Sequence, residues 1–594
     1  MIRRNFPANR LAGCVIPALL IAVANIPARA AEKSADQLLP ESTIAYVEIA
    51  QPTELLHAVL EHPLRKRLEA NESYRTALNS PQYRQLLLGV AFVESQLGMG
   101  WQEAIETLTE GGIYAGLDAN TQGVALLVKA RDEKSLKNAV DVLVAFARNN
   151  ASNSGQPDPV KTGEYKGVTA YQINDGTFAA VGSWLLVTNK NELGKTLVDS
   201  FVEGEGRSLA DNDQYQAARK AVVGKPVAWA WLNAEAARQT DPGREVLKEK
   251  SDNPVLEVLL GGVVSTLRHT PFATASLYFD HERLAVALAA PHDPTWVEKP
   301  RQYFFGPDGN GTAPTPLIPR GTLLNIGAYR DMGGMWMAKE ELFEENITAQ
   351  LAQADSNLST FFSGRDFGRE VLGAFDPQIQ IVATRQTFED EESSPDVRIP
   401  AFAFVFRLKD PDAMHRPLRV SFQSLVGFLN IVGGQNGQPL LDLVFEKRGE
   451  GEIVGTSYLP GDVEPGRINH NFSPSVGFVG ETMIVASTRQ LAGELVDLAA
   501  ARAEKQAVEN EKRPNSEIVL DLAVLRDVLT DNKKHLVAQN MLQQGHGEEE
   551  ASKQIDALLT LLDAGQSASL SLNNDQKSVR IELSIDFATD KSVD

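Results

Sequence analysis

Residues Thr43–Ile49 alternate apolar and polar side chains with the period of a strand, and Pro52–Leu60 follows as a helix start. The same order returns 279 residues later. LPESTIAYVEI begins at Leu39 and IPRGTLLNIGA at Ile318, with Thr322 standing where Thr43 stood. Helical stretches at residues 101–108 and 367–372 each lead into a strand, at 113–117 and 379–383. GVALLVKARDEKSL then matches AFAFVFRLKDPDAM. Asp132 and Asp410 take the N-cap position of the next helix, and Pro411 its first turn.

The longest correspondence is gapless over 22 residues, FAAVGSWLLVTNKNELGKTLVD against VGFVGETMIVASTRQLAGELVD. It places Gly182 on Gly480, each between two strands where a tight turn demands positive φ. ATASLYFDHERLAVAL and SASLSLNNDQKSVRIEL then close the two copies as hairpins. Asp132 and Gly182 are 50 residues apart and Asp410 and Gly480 are 70, so the second copy carries an insertion. The reading puts it in VGGQNGQP and the segment running to Arg467. Strands joined by tight turns predict an α+β fold: two duplicated halves, each a mainly antiparallel sheet with packed helices. The halves are residues 31–305 and 317–594, and the Gly-, Pro- and Thr-rich stretch 306–316 reads as a linker. Helical arms are expected at 63–92, 491–511 and 522–562, the last interrupted near Gly545 and Gly547.

The first thirty residues are a separate object. Arg3, Arg4 and Arg10 precede an apolar run at 11–24, and Ala28-Arg29-Ala30 supplies a small-x-small cleavage pattern, so residues 1–30 read as a signal peptide. The run is shorter than the roughly 20 residues that a membrane anchor needs. Leu11-Ala12-Gly13-Cys14 has the composition of a lipobox but precedes the apolar core rather than following it. Arg3-Arg4 is compatible with twin-arginine export, and the general secretory route is the default. The later stretch 255–267 is too short to span a membrane and contains Glu257.

At 594 residues the chain exceeds one hydrophobic core, and 43% apolar with 23% charged residues is a globular composition. Loss of the leader removes four arginines and no acidic residue, leaving 53 basic against 78 acidic residues and a charge of −25. Such a balance argues against nucleic acid and anionic lipid headgroups as partners. Cys14 is the only cysteine, so the mature chain has no disulfide and no thiolate chemistry.

No residue set qualifies as a catalytic, cofactor or metal site. His57 and His62, with Glu61, are five apart rather than four, and Pro63 ends the pattern; they read as solvated or capping histidines. Met332, Met335 and Met337 lack a neighbouring His or Cys and read as core filler. The acidic run Glu389-Asp390-Glu391-Glu392 reads as a solvated hairpin tip, and Asp308-Gly309-Asn310-Gly311 as linker rather than a calcium loop. There is no GxSxG elbow, no phosphate loop, and no GxGxxG opening a helix after a strand; GEGRS at 204–208 follows a helix.

The export leader, LPESTIAYVEI with its following helix, and DFGREVLGAFDPQIQIVA at 366–383 together resemble the DUF3352 type of exported bacterial proteins. That resemblance implies envelope association and no assigned activity. The expected function is therefore a non-enzymatic exported protein of the periplasm or cell envelope, a binding or scaffold module. Its expected partner is a protein or an apolar small molecule, with no cofactor and with peripheral envelope association. The cleft between the halves is the expected contact surface. An apolar-ligand carrier and an envelope hydrolase with a spatially assembled site are the alternatives.

Overall fold

The computed structural model describes residues 33–70, 74, 75, 78–204, 206–239, 244, 247–388, 394–459, 462–504 and 513–588. The expected leader with Cys14, and the acidic run 389–392, lie outside the described residues. The chain is α+β, with antiparallel strands throughout. The first ten strands are β1 (Thr43–Ile49), β2 (Ile113–Asp118), β3 (Val124–Lys129), β4 (Val160–Tyr165), β5 (Val168–Ile173), β6 (Gly176–Val181), β7 (Trp184–Thr188), β8 (Ala228–Asn233), β9 (Phe272–Phe279) and β10 (Arg283–Pro291). They lie side by side in the order β4-β5-β6-β7-β3-β2-β1-β8-β9-β10.

The next ten are β11 (Thr322–Tyr329), β12 (Phe375–Thr384), β13 (Ala401–Leu408), β14 (Leu441–Arg448), β15 (Gly451–Tyr458), β16 (Ser475–Val479), β17 (Thr482–Ala486), β18 (Ser516–Asp521), β19 (Gly565–Asn574) and β20 (Ser578–Phe587). Their order, β14-β15-β16-β17-β13-β12-β11-β18-β19-β20, repeats that of the first ten. Local chemistry repeats with it. Thr43 Oγ1 donates to the Pro40 carbonyl and Thr322 Oγ1 to the Pro319 carbonyl, both at 2.7 Å. Immediately after each threonine the register shifts by a bulge. Gly182 and Gly480 both have positive φ, +58° and +54°, as a tight β-turn requires. Asp132 and Asp410 both cap helices, accepting from the Ser135 and Ala413 amides.

The halves do not face each other across a cleft. β10 pairs antiparallel with β20 over nine residues, from Arg283 opposite Asp586 to Pro291 opposite Ser578, and merges both into one sheet. At one end of this seam, on the sheet face that carries Ile581, sits a core of Val263, Tyr303, Phe304, Phe305, Met335, Leu342, Phe343 and Leu572. A buried ion pair crosses it. Arg301, 2% exposed, donates from Nε and Nη2 to Glu257 at 2.8 and 3.1 Å, and Tyr303 Oη donates to the Glu257 carbonyl. Burial, reinforced by the Glu257 charge, raises the Tyr303 phenol above its ordinary range. Arg330 lies 3.5 Å over the Phe304 ring and donates to the Val258 carbonyl and to Asn515; burial pushes its pKa down to about 10.

Residues 306–316 are more than a spacer. The Asn515 side chain donates to the Phe304 and Gly311 carbonyls, Arg502 to those of Thr315 and Pro316, and Ala313 is buried. The insertion falls mainly at residues 459–474, which join β15 to β16 where two residues join β5 to β6; it overlaps the expected segment up to Arg467 and runs seven residues past it. VGGQNGQP instead ends the helix Pro411–Gln435 and leads into β14. Within the expected arm at 63–92 the described residues include the helices Pro63–Ala70 and Pro81–Leu97, the latter capped by Ser80 with Pro81 in its first turn. The arm at 491–511 is the helix Arg489–Glu504, its remainder falling outside the described residues. The arm at 522–562 is three helices, Leu522–Asp531, Lys533–Gln544 and Glu548–Leu562.

The seam generates a stability prediction. Glu257→Ala strands Arg301 without its carboxylate and costs about 3–5 kcal/mol, read as a lower urea midpoint, whereas the paired change Glu257→Leu with Arg301→Met recovers most of that loss.

Candidate functional site

The residues singled out by sequence disperse into structural roles. His57 is half-exposed and contacts Glu61 at 3.2 Å and Glu106 at 3.3 Å. His62, expected to be solvated or capping, does cap, accepting the Leu64 amide at Nδ1, but it is buried. Its ring stacks on Phe279 and meets Phe587 edge-on, because the turn between its two helices closes over the β9–β20 region. Met332 and Met335 pack into the seam core, and Met337 is exposed. Gly309, with φ +68°, belongs to the turn that follows helix Gln302–Phe305. Among the described residues no group of three His, Cys, Asp or Glu side chains could hold a metal ion. No described helix is long and apolar enough to cross a membrane.

The first half also buries a charged cluster that sequence did not reveal. Arg219 donates to both oxygens of Glu48, at 2.5 and 3.0 Å, Tyr46 Oη donates to the same carboxylate, and the guanidinium stacks 4.7 Å over Trp229. Burial and the Glu48 charge raise the Tyr46 phenol. The corresponding positions of β11 are Asn325 and Gly327, where Gln380 bonds Asn325 and both backbone groups of Leu317. These polar groups satisfy one another within the core, which is the economy of a structural knot rather than a reactive site.

The register of the sheet exposes a different feature. Side chains alternate between its two faces. One face carries Tyr46, Leu127, Trp184, Trp229 and Trp231 in the first half, and Val382, Ala403, Val405 and Ile484 in the second, all buried. Helices Asn191–Val202 and Asp213–Lys220 cover the first set, and helix Arg489–Glu504 the second. In an antiparallel sheet packed on one side, the opposite face is ordinarily polar and solvated.

Here the opposite face is apolar too. On β3 it presents Val124, Leu126 and Val128; on β2 Ile113, Ala115 and Leu117; on β1 Ala45, Val47 and Ile49. Across the seam, Leu284, Val286 and Leu288 of β10 stand opposite Ile585, Leu583 and Ile581 of β20. Leu570 of β19, Ile518 and Leu520 of β18, and Leu324 and Ile326 of β11 continue it. It ends on Ile379, Ile381 and Ala383 of β12 and on Phe402, Phe404 and Phe406 of β13. Twelve adjacent strands, at about 4.8 Å each, make an apolar trough roughly 50 Å long. It is open in part: Val47 is 46%, Leu288 50% and Leu583 51% exposed, against 2% for Tyr46 one residue away from Val47, while His62 covers Phe279 and Phe587 and the seam core covers Ile581.

Each strand of this kind reads locally as an apolar run, such as VALLV or AFAFVF. The signal available in sequence was a departure from alternation; its meaning depended on which strands become neighbours. The outer ends of the same face are roofed by helices Glu133–Asn153 over β6 and β7, and Pro411–Gln435 over β14 and β16.

No protein-family model matches the chain, and no curated protein is similar to it in sequence. Solved structures similar to it include crystal forms IV, III and I of TP0453, each at 10% identity with TM-scores of 0.24, 0.23 and 0.23. The similarity spans 44% of this chain and 81%, 80% and 79% of theirs. At that level it carries no argument about function.

Two outcomes test the site as described. An environment-sensitive apolar dye binds the native protein. Leu288→Glu combined with Leu583→Glu lowers its fluorescence severalfold while changing stability by only about 1 kcal/mol; Tyr46→Ala costs about 3 kcal/mol or more and leaves dye binding in place. The second concerns pH. Burial holds His62 below its ordinary pKa of about 6.5, so the folded state keeps the ring neutral where the unfolded state protonates it. Its contribution is complete above about pH 6.5 and is lost as pH falls below that, and His62→Phe flattens this part of the stability profile in denaturation curves.

Proposed function

We propose that this chain is an exported, non-enzymatic binding protein that carries a lipid-like apolar ligand along the open face of its sheet. The observation that carries the reading is a sheet apolar on both faces, with the second face exposed at Val47, Leu126, Leu288, Leu583 and Phe402. Leaving so much apolar surface in water is unfavourable at about 25 cal/mol per Å². A ligand that covers it, and leaves when displaced, supplies the missing partner. The chemistry required is hydrocarbon, since the central positions of this face offer almost no polar side chain to orient a headgroup. An acidic chain surface fits a carrier that stays soluble between membranes rather than one that adheres to anionic lipid.

Export to the periplasm or envelope rests on the basic-apolar-AxA leader, and tandem duplication on the matched sequences together with the repeated strand order. Kinship with the DUF3352 type belongs to the same proposal. The buried carboxylates Glu48 and Glu257 are each tied to an arginine, and buried Asp118 accepts from Ser42 and Thr121, which favours binding over hydrolysis.

The test is protein purified from its own envelope, analysed by native mass spectrometry and by solvent extraction. A lipid in near-stoichiometric amount is the expected result. Protein that arrives empty, and takes up no fluorescent lipid from vesicles, overturns the reading.

A further inference from the structure

The two roofed ends of the trough differ. Beneath helix Glu133–Asn153 lies a chamber of about 410 Å³, walled by that helix, by Pro81–Leu97 and by β3, β6 and β7. Fourteen of its fifteen lining residues are apolar, Gln96 being the exception. Val128, Leu185 and Val187 belong both to its floor and to the apolar face of the sheet, so chamber and trough are continuous. Phe92 and Phe146, with ring centroids 5.4 Å apart, divide it from a wider outer vestibule bordered by Trp101.

The second half has the same elements but fills the space. At equivalent positions Leu136, Val140, Val144 and Ala180 become Met414, Leu418, Phe422 and Phe478. Met414, Leu418 and Phe478 are buried together with Val454, Val476 and Met483, and Phe422 packs against them. Of the chamber lining, Leu136 and Val140 thus have larger or equal counterparts that are buried in a packed cluster, whereas Leu143, Phe146 and Phe178 correspond to the smaller Ser421, Ser424 and Val476. An apolar pocket whose mouth is lined by the exposed Phe92, Val93, Leu143 and Phe146 takes hydrocarbon, whereas a carboxylate or phosphate inside it would lack protein partners.

We infer that the first-half chamber receives the methyl end of a long, linear acyl chain whose remainder lies along the trough, giving the ligand one fixed direction. This rests on the carrier function proposed above. A trough that runs on from the chamber suits an extended chain, not a compact ring system. The chain's charged end then lies away from the chamber, toward the seam and solvent.

The test uses the full chain stripped of bound lipid and the polyene fatty acid cis-parinaric acid as probe. Ala139→Phe and Leu143→Trp, which fill the chamber, weaken binding at least tenfold, while Leu425→Trp, on the exposed part of the second-half helix, leaves it unchanged. Binding that the chamber variants do not weaken overturns the chamber assignment and leaves the trough carrier standing. No binding by the unmodified chain overturns both. Stearic acid brominated near its methyl end or near its carboxylate gives a readout independent of the filling variants. The methyl-end bromine quenches the tryptophan emission that Trp101→Phe removes, and the carboxyl-end bromine does not. Stronger quenching of Trp101 by the carboxyl-end bromine overturns the orientation.

Discussion

The antiparallel pairing of β10 with β20 is the contact on which the molecule depends. Its register matters as much as its existence. Val286 stands opposite Leu583 and Ala287 opposite Glu582, so the apolar residues of both hairpins emerge on the same side. Because side chains alternate with period two, a slip of one residue would turn the second half's apolar face to the opposite side of the sheet. The trough would then break at the seam, and each half would end on a mismatched surface. The core at one end of the seam guards against that slip. Phe304, Phe305 and the Glu257–Arg301 pair lock the connection between halves against the helix Pro254–Leu267, so the entry to β11 is fixed relative to β10.

A repeated fold with divergent filling is how this chain acquires direction. The elements that define the backbone agree between halves: the threonine-to-proline-carbonyl bond, the bulge after it, the positive-φ glycine and the aspartate cap. What differs is side-chain volume and polarity inside that frame. Tyr46 and Glu48 build a charged aromatic knot where Asn325 and Gly327 leave room for Gln380 to tie down Leu317. Val144 and Ala180 stand in one hydrophobic cluster where Phe422 and Phe478 stand in the other. Backbone symmetry makes one continuous surface, and side-chain asymmetry gives that surface two unlike ends.

Sequence carried the local half of this architecture. Thr43 and Thr322, Gly182 and Gly480, and Asp132 and Asp410 were legible because turns, caps and bulges are set by a few adjacent residues. The seam was not, because Leu288 and Ile581 meet across 293 positions and nothing local marks the pairing. The expectation of a cleft followed from treating the halves as separate bodies, and the linker reading of 306–316 from composition alone. Ala313 shows what composition leaves out: part of a Gly- and Pro-rich connecting segment can be buried and tied down by Asn515 and Arg502. The candidate site was invisible for a related reason. Val47 alone is an unremarkable exposed valine, and it becomes part of a surface only when Ala115, Leu126, Ala230 and Ala275 line up beside it.

The open face also explains how the roofs are distributed. A sheet this wide needs its outer strands covered, since β4 and β14 are edges and edges left bare invite pairing with other chains. Charges on those strands, Lys161 and Glu164 on one and Asp442, Glu446 and Lys447 on the other, oppose such pairing. The long helices Glu133–Asn153 and Pro411–Gln435 cover the strands next to them. The centre has no comparable constraint, because every strand there is paired on both sides. The backbone is therefore satisfied by pairing alone where this face is open, between the Phe304–Phe305 core and the His62 turn that cover its margins at the seam. A trough can remain open at the middle of this sheet without fraying it, and its apolar surface can exchange one covering molecule for another while the fold beneath stays intact.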